Sequence, residues 1–287
     1  MTERTGLSRK ARVVLCADDF GLSEGVSGGI LELAESGRIS AVSAMTNCPA
    51  LAGAAPGLKA FDGKVGIGLH LNLTAGAPLG PMPGFAPKGV FPPNGAVVAR
   101  ALTARLPRRE MAAEVERQLD AFEAAFGRGP DFVDGHQHVH VLPGVRGVLL
   151  EVLRRRRLPA LWLRDPTDDL GAILGRRIAA RKALAVGTLA LGFRKHASRA
   201  GFDTNEGFSG FRSFEQPTDV AAVFEASFAR LGRRPVVMCH PAHPDRELEP
   251  FDPVPRSRAE ELAYLGSDGF GELLAQRRIE LAPRPMG

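Results

Sequence analysis

Residues 12–21 read RVVLCADDFG, an apolar run that stops on two adjacent carboxylates, Asp18 and Asp19, ahead of a Phe-Gly turn. The large apolar residues before a turn predict a strand over 12–17. Like charges side by side repel, so a chain that sets them where a strand meets its loop needs a reason. The same strand signal recurs at 39–46 (ISAVSAMT), 65–73 (VGIGLHLNL), 131–139 (DFVDGHQHV), 160–164 (ALWLR), 235–239 (PVVMC) and 278–282 (RIELA). Helical patterns lie between them. Met111, Val115, Leu119, Phe122 and Phe126 recur at spacings of three and four, and Gly127 is placed to end that helix. Val220, Phe224, Phe228 and Leu231 repeat the pattern after Pro217. Strands alternating with helices predict a parallel sheet in an α/β fold, and about seven of them predict a (β/α) barrel. No repeat or linker divides the chain, so one domain over residues 1–287 is expected.

Composition narrows the function classes. Hydrophobic residues at 44% and charged residues at 24% are those of a soluble globular protein. The net charge of +5 could suggest nucleic acid, but 32 acidic residues are mixed among 37 basic ones. One Trp and one Tyr supply little for base stacking, so no nucleic-acid partner is expected. Cys16, Cys48 and Cys239 form no CxxC pair and are odd in number, as in a reduced, cytoplasmic protein. The N-terminal apolar run is too short for a signal peptide, and the longest apolar stretch, Ala183–Phe193, is too short to span a bilayer. Two segments stand apart. Residues 75–96 are rich in Gly and Pro and read as a lid or binding loop, or else as disordered. Residues 172–200 combine Ala and Leu with Arg176, Arg177, Arg181, Lys182, Arg194, Lys195 and Arg199. They are expected to form a helix pair with one solvated basic face; peripheral contact with an anionic membrane or a lipid-linked substrate is the sharper alternative.

Polar residues interrupt several strands. Alternation in 65–73 sets Gly66, Gly68, His70 and Asn72 on one face, and the glycines leave room for a close approach. In DFVDGHQHVH, an extended chain would line up Asp134, His136, His138 and His140. Three of the seven histidines within five residues favour a metal site over packing. Residues two apart on a strand are separated by roughly 6.6 Å, so not all of them need bind. His240 ends PVVMC just before Pro241. All these residues fall at the carboxyl ends of predicted strands, where α/β barrels build active sites. One Asp and two His from separate strands form an open three-ligand centre of the kind hydrolases use. Imidazole favours zinc or a similar transition metal, with magnesium left open.

The segments ADDFGLS (17–23), GLHLNLT (68–74), DGHQHVHVLP (134–143) and VMCHPAH (237–243), with DTNEGFSGF (203–211) and SRAEELAYL (257–265), resemble those of the YdjC-like carbohydrate deacetylases, the ChbG/HpnK group. The resemblance implies an irregular, roughly seven-stranded (β/α) barrel of the glycoside hydrolase/deacetylase type. It implies one divalent metal ion, Zn or Mg, held by Asp19, His70 and His136, with Asp18 as catalytic base and His240 as general acid. It further implies hydrolysis of an N-acetyl group on an amino sugar, of chitooligosaccharide or lipid-linked type, and it admits a homodimer. His138, His140, Arg164 and Asn205 are the expected substrate contacts, with His138 and His140 equally open to supporting the ligands from behind and Arg164 also a candidate to orient Asp18 or to form a plain structural ion pair. Phe202, Phe208, Phe211 and Phe214 are candidates for a sugar-binding wall, with packing as their default. Many relatives have Asn in place of Cys16 and often Asp in place of Glu206. Two other readings compete. A metal-dependent phosphoesterase would want more bridging carboxylates, and a non-catalytic sugar-binding barrel would not need the intact Asp18/Asp19 pair.

Overall fold

The computed structural model describes residues 10–158, 160–212, 219–248, 251 and 255–286. Among them are nine strands: β1 (Ala11–Phe20), β2 (Ala41–Ala44), β3 (Gly66–Leu71), β4 (Phe132–Gly135), β5 (Trp162–Leu163), β6 (Asp203–Thr204), β7 (Phe208–Ser209), β8 (Val236–Cys239) and β9 (Ile279–Leu281). They join in the order β6-β5-β4-β3-β2-β1-β8-β7, with β9 added to β1, and every ladder is parallel. Helices fill the crossovers, giving a curled, irregular (β/α) half-barrel. The two ends of the ladder, β6 and β7, follow each other in the chain but do not pair among the described residues. Both are only two residues long, and they are the strands missing from the seven expected. Gly207 and Gly210 flank β7 in the left-handed region, at φ 104° and 98°, which breaks the extended pattern that would have marked it.

Alternation along β1 sorts the core into two layers. Val13, Leu15 and Ala17 face the helices, while Val14 and Cys16 face the barrel interior, where Phe132 and Trp162 stack at 4.7 Å. The interior glycines of β3 serve this packing. A Cβ at Gly68 would run into the Phe132 ring, and one at Gly66 into the Pro283 carbonyl. What approaches those glycines is therefore the chain's own floor.

The helix expected around Met111–Phe126 spans Arg108–Phe126 and ends at Gly127, whose φ of 74° is the left-handed turn a helix C-terminus favours. Residues 75–93 are irregular, as their composition implies, but they are tied down. Gly84 and Phe85 donate to Glu110, Leu79 to Glu114, and Arg100 donates to the Phe85 carbonyl. Met82, Phe85 and Phe91 are buried against the helix layer. No helix among the described residues is long and apolar enough to cross a membrane.

Candidate metal and catalytic centre

Asp18 continues the interior-facing side of β1. Asp19, by strict alternation, would turn toward the helices. It does not, because β1 bulges there: Ala17 to Phe20 spans three steps while the partners Val42 to Ala44 span two. Asp19 takes a left-handed φ of 72°, a conformation costly for most residues and tolerated best by Asn and Asp. The bulge brings both adjacent carboxylates to the same rim.

Around Asp19 three elements converge. His136 Nδ1 lies 2.8 Å and His70 Nε2 3.3 Å from Asp19 Oδ1, and Arg258 Nη2 donates to Oδ2 at 2.7 Å. One donor atom from each of Asp19, His70 and His136 lies within 4.8 Å of the others, a mixed N/O set that fits a small divalent ion. Behind His70, Nδ1 is 2.7 Å from Asp134 Oδ1, a carboxylate that also accepts from Ser43. That contact commits the Nδ1 proton to Asp134 and leaves Nε2 facing Asp19.

The second half of the rim is built on Arg164, immediately after β5. It holds Asp18 with two hydrogen bonds, at 2.6 and 2.7 Å, and reaches Asp134 at 2.6 Å. Cys16, Asp18 and Asp134 also cluster within 4.8 Å, but the Arg164 guanidinium ion-pairs with both carboxylates, so this second group does not suit a metal. Burial alone would raise the Asp19 carboxyl, yet the charges of His136 and Arg258 and hydrogen bonds from His136 and His70 hold it well below the usual carboxylate range. Burial opposes charge on His70, but Asp134 outweighs it and pushes the imidazole up to about 10. Burial would likewise raise Asp134, and Arg164 and His70 hold it low.

His240 follows β8, partly exposed at the rim, and its backbone N–H donates to Glu261. Burial drives this imidazole well below its ordinary range, with Arg258 adding to the effect against the pull of Asp19. Glu261 also pairs with Arg212 at 2.9 Å. The helix Pro255–Gly266 thus supplies both Arg258 and Glu261. Neither was singled out from sequence, although both lie within SRAEELAYL. Ser43 was also missed; a lone Ser in an apolar strand carries no signal.

The extended reading of DFVDGHQHVH needs correction. β4 stops at Gly135, and residues His136–Val141 form a 3₁₀ turn in which Gln137 and His138 have positive φ. His136, His138 and His140 therefore point to different places. His136 joins Asp19. His138, partly exposed, rests its ring against Phe208 and Phe211, at centroid distances of 5.8 and 5.4 Å. His140 is fully buried, with Nε2 2.8 Å from the Arg164 carbonyl and its ring edge-on to Phe193. Arg164 and Asn205 are also fully buried. Asn205 bonds the Asp165 amide and carbonyl and the Gly207 carbonyl. Of the four expected substrate contacts, only His138 reaches the surface; the other three brace the rim from within. Phe202 packs on the outer core, and Phe214 lies outside the described residues.

In a parallel (β/α) half-barrel this carboxylate–imidazole cluster lies on the carboxyl rim, the edge where such folds build their active sites. The YdjC-like protein family model matches residues 12–276, and the chain belongs to that family. It is 30% identical to the carbohydrate deacetylase of Geobacillus stearothermophilus over 271 residues, 93% of this chain and 94% of that one. It is 35% identical to the chitooligosaccharide deacetylase of Enterobacter sp. (strain 638) over 144 residues, spanning half of this chain and 56% of that relative. A crystal structure of a protein described as a cellobiose-phosphate cleavage protein, from Enterococcus faecalis V583, has the same fold. The TM-score is 0.70 at 23% identity, covering 95% of this chain and 97% of the other.

Proposed function

We propose that this protein hydrolyses the N-acetyl group of an amino sugar, releasing acetate and a free amine. The observation that carries the reading is the division of the Asp18/Asp19 pair, one carboxylate gripped by Arg164 and its neighbour turned toward two imidazoles. The names of the relatives, carbohydrate and chitooligosaccharide deacetylase, support the substrate class. A divalent ion held by Asp19, His70 and His136 would supply Lewis-acid polarisation of the amide carbonyl.

The protein's own groups do the rest. Arg164 fixes both Asp18 oxygens, and each oxygen keeps a further lone pair with which to take a proton from the attacking water. Asp134 holds the His70 tautomer and is itself held by Arg164, so one cation orients both carboxylates. His240 delivers a proton to the departing nitrogen. Its lowered basicity leaves it neutral at rest, so the proton it delivers is the one that Asp18 takes from the attacking water, and the charged imidazole gives it up readily. His138, on its Phe208/Phe211 shelf, presents an edge to the sugar. Acetate release from N-acetylated amino sugars, by stripped protein before and after Zn or Mg is restored, tests the assignment. No acetate with any metal and any such sugar removes it.

A further inference from the structure

The segment after β5 does not behave as a solvated helix pair. It forms three short helices, Leu170–Arg176, Ala180–Leu189 and Phe193–Arg199. The middle helix, ARKALAVGTL, buries only Ala183. Ala180, Val186 and Leu189 pack half-buried beside it, while Leu184 stays exposed on the outer side. Half of the exposed large apolar side chains among the described residues, Leu170, Leu174, Leu184 and Leu191, lie in this stretch. Leu170, Leu184 and Leu191 border one groove of about 920 Å³ together with Arg194 and Lys195, and its lining also includes Asp165, Asp168, Asp169 and Glu206.

The charge of the same stretch is one-sided. From Leu170 to Phe202 the chain has seven Arg and Lys and no Asp or Glu, while the whole chain carries only +5. The remainder is therefore slightly acidic, and the basicity is concentrated here. Arg176 and Arg194 are tied to Asp168 and Asp165. Arg177, Arg181, Lys195 and Arg199 stand exposed. Arg181 is one turn from Leu184 on the same helix face. Cations interleaved with exposed leucines match a surface that is anionic outside and apolar beneath. A nucleic acid would leave the leucines without a partner.

We infer that residues 170–199 dock on an anionic lipid bilayer, with the leucines entering the boundary of headgroups and acyl chains and the cations meeting lipid phosphates. The inference does not rest on the reaction assigned to the rim, and its test needs no turnover. The full chain is sedimented with phosphatidylcholine vesicles, alone or with about a third phosphatidylglycerol. Binding is expected only to the anionic vesicles, at about 0.05 M salt, and is expected to be lost near 0.5 M as the attraction is screened. Each surface cation is worth about fivefold in partitioning, so Arg181→Glu/Lys195→Glu should weaken binding more than tenfold. Leu184→Ser/Leu191→Ser should weaken it comparably, with circular dichroism unchanged in both variants. No binding to anionic vesicles at low salt overturns the inference, as does binding that neither variant affects. A dimer seen by light scattering that the leucine variant splits, without vesicle binding, assigns the face to a second copy of the chain and overturns it equally.

Discussion

Replacing Arg164 with Met keeps much of the side chain's bulk and deletes the cation on which the rim is hung. The guanidinium is fully buried, hydrogen-bonds both Asp18 oxygens at 2.6 and 2.7 Å, and forms an ion pair with Asp134 at 2.6 Å. Burial penalises its charge, yet Asp134 and Asp18 raise its basicity well above the ordinary value. Removing it strands two buried carboxylates. Breaking a buried pair in this one-sided way typically costs about 3–5 kcal/mol. The Arg164→Met variant should lose stability on that scale in urea titrations at neutral pH, with a melting temperature lower by on the order of 10 °C. Because the cost lies in the charges left behind, adding Asp134→Asn to Arg164→Met should recover part of the loss, a coupling that a double-mutant cycle isolates. An Arg164→Met protein within about 1 kcal/mol of wild type, or a double variant no better than the single, would refute the reasoning.

Asp134→Asn alone should leave the fold intact but lower metal affinity by about 10–100-fold, read by isothermal titration, because His70 loses the carboxylate that orients it; unchanged affinity would sever Asp134 from the centre. Burial depresses His140 to about 4, below its unfolded value, so the folded protein binds fewer protons and stability should fall as pH drops from about 6.5 toward 4. His140→Gln should flatten that slope by at most about 3 kcal/mol in urea titrations at the two ends, and an unaltered slope would show that His140 does not contribute. Gly68→Ala should cost about 1–3 kcal/mol, since its Cβ meets the Phe132 ring that fills the barrel floor; a neutral substitution would mean the floor can yield.

Much of this architecture was legible because it follows from periodicity. The apolar runs at β1, β3 and β8 are long enough to declare strands, and each ends in a polar residue at the rim. The rest was hidden for physical reasons. Asp19 reaches the site through a bulge and a left-handed φ, and nothing in the letters DD distinguishes that from regular alternation. Gln137 and His138 likewise turn by positive φ, which broke the expected line of histidines. Arg258 comes to Asp19 from 239 positions away, a pairing that only the closed fold creates. The glycines of β3 were read as room for an approach, and the sequence could not say that Phe132 and Pro283 are what approach.

The most direct test of the account is to titrate metal into stripped Asp18→Asn and Asp19→Asn proteins while following acetate release from an N-acetylated amino sugar. If Asp19 holds the ion and Asp18 takes the proton, Asp19→Asn should bind metal weakly and recover activity partly at high metal concentration. Asp18→Asn should bind one ion as wild type does and stay nearly inactive, since general base help is worth roughly 10²–10⁴-fold. Rescue of Asp18→Asn by added metal, with Asp19→Asn binding normally, would contradict the division of labour between the two aspartates.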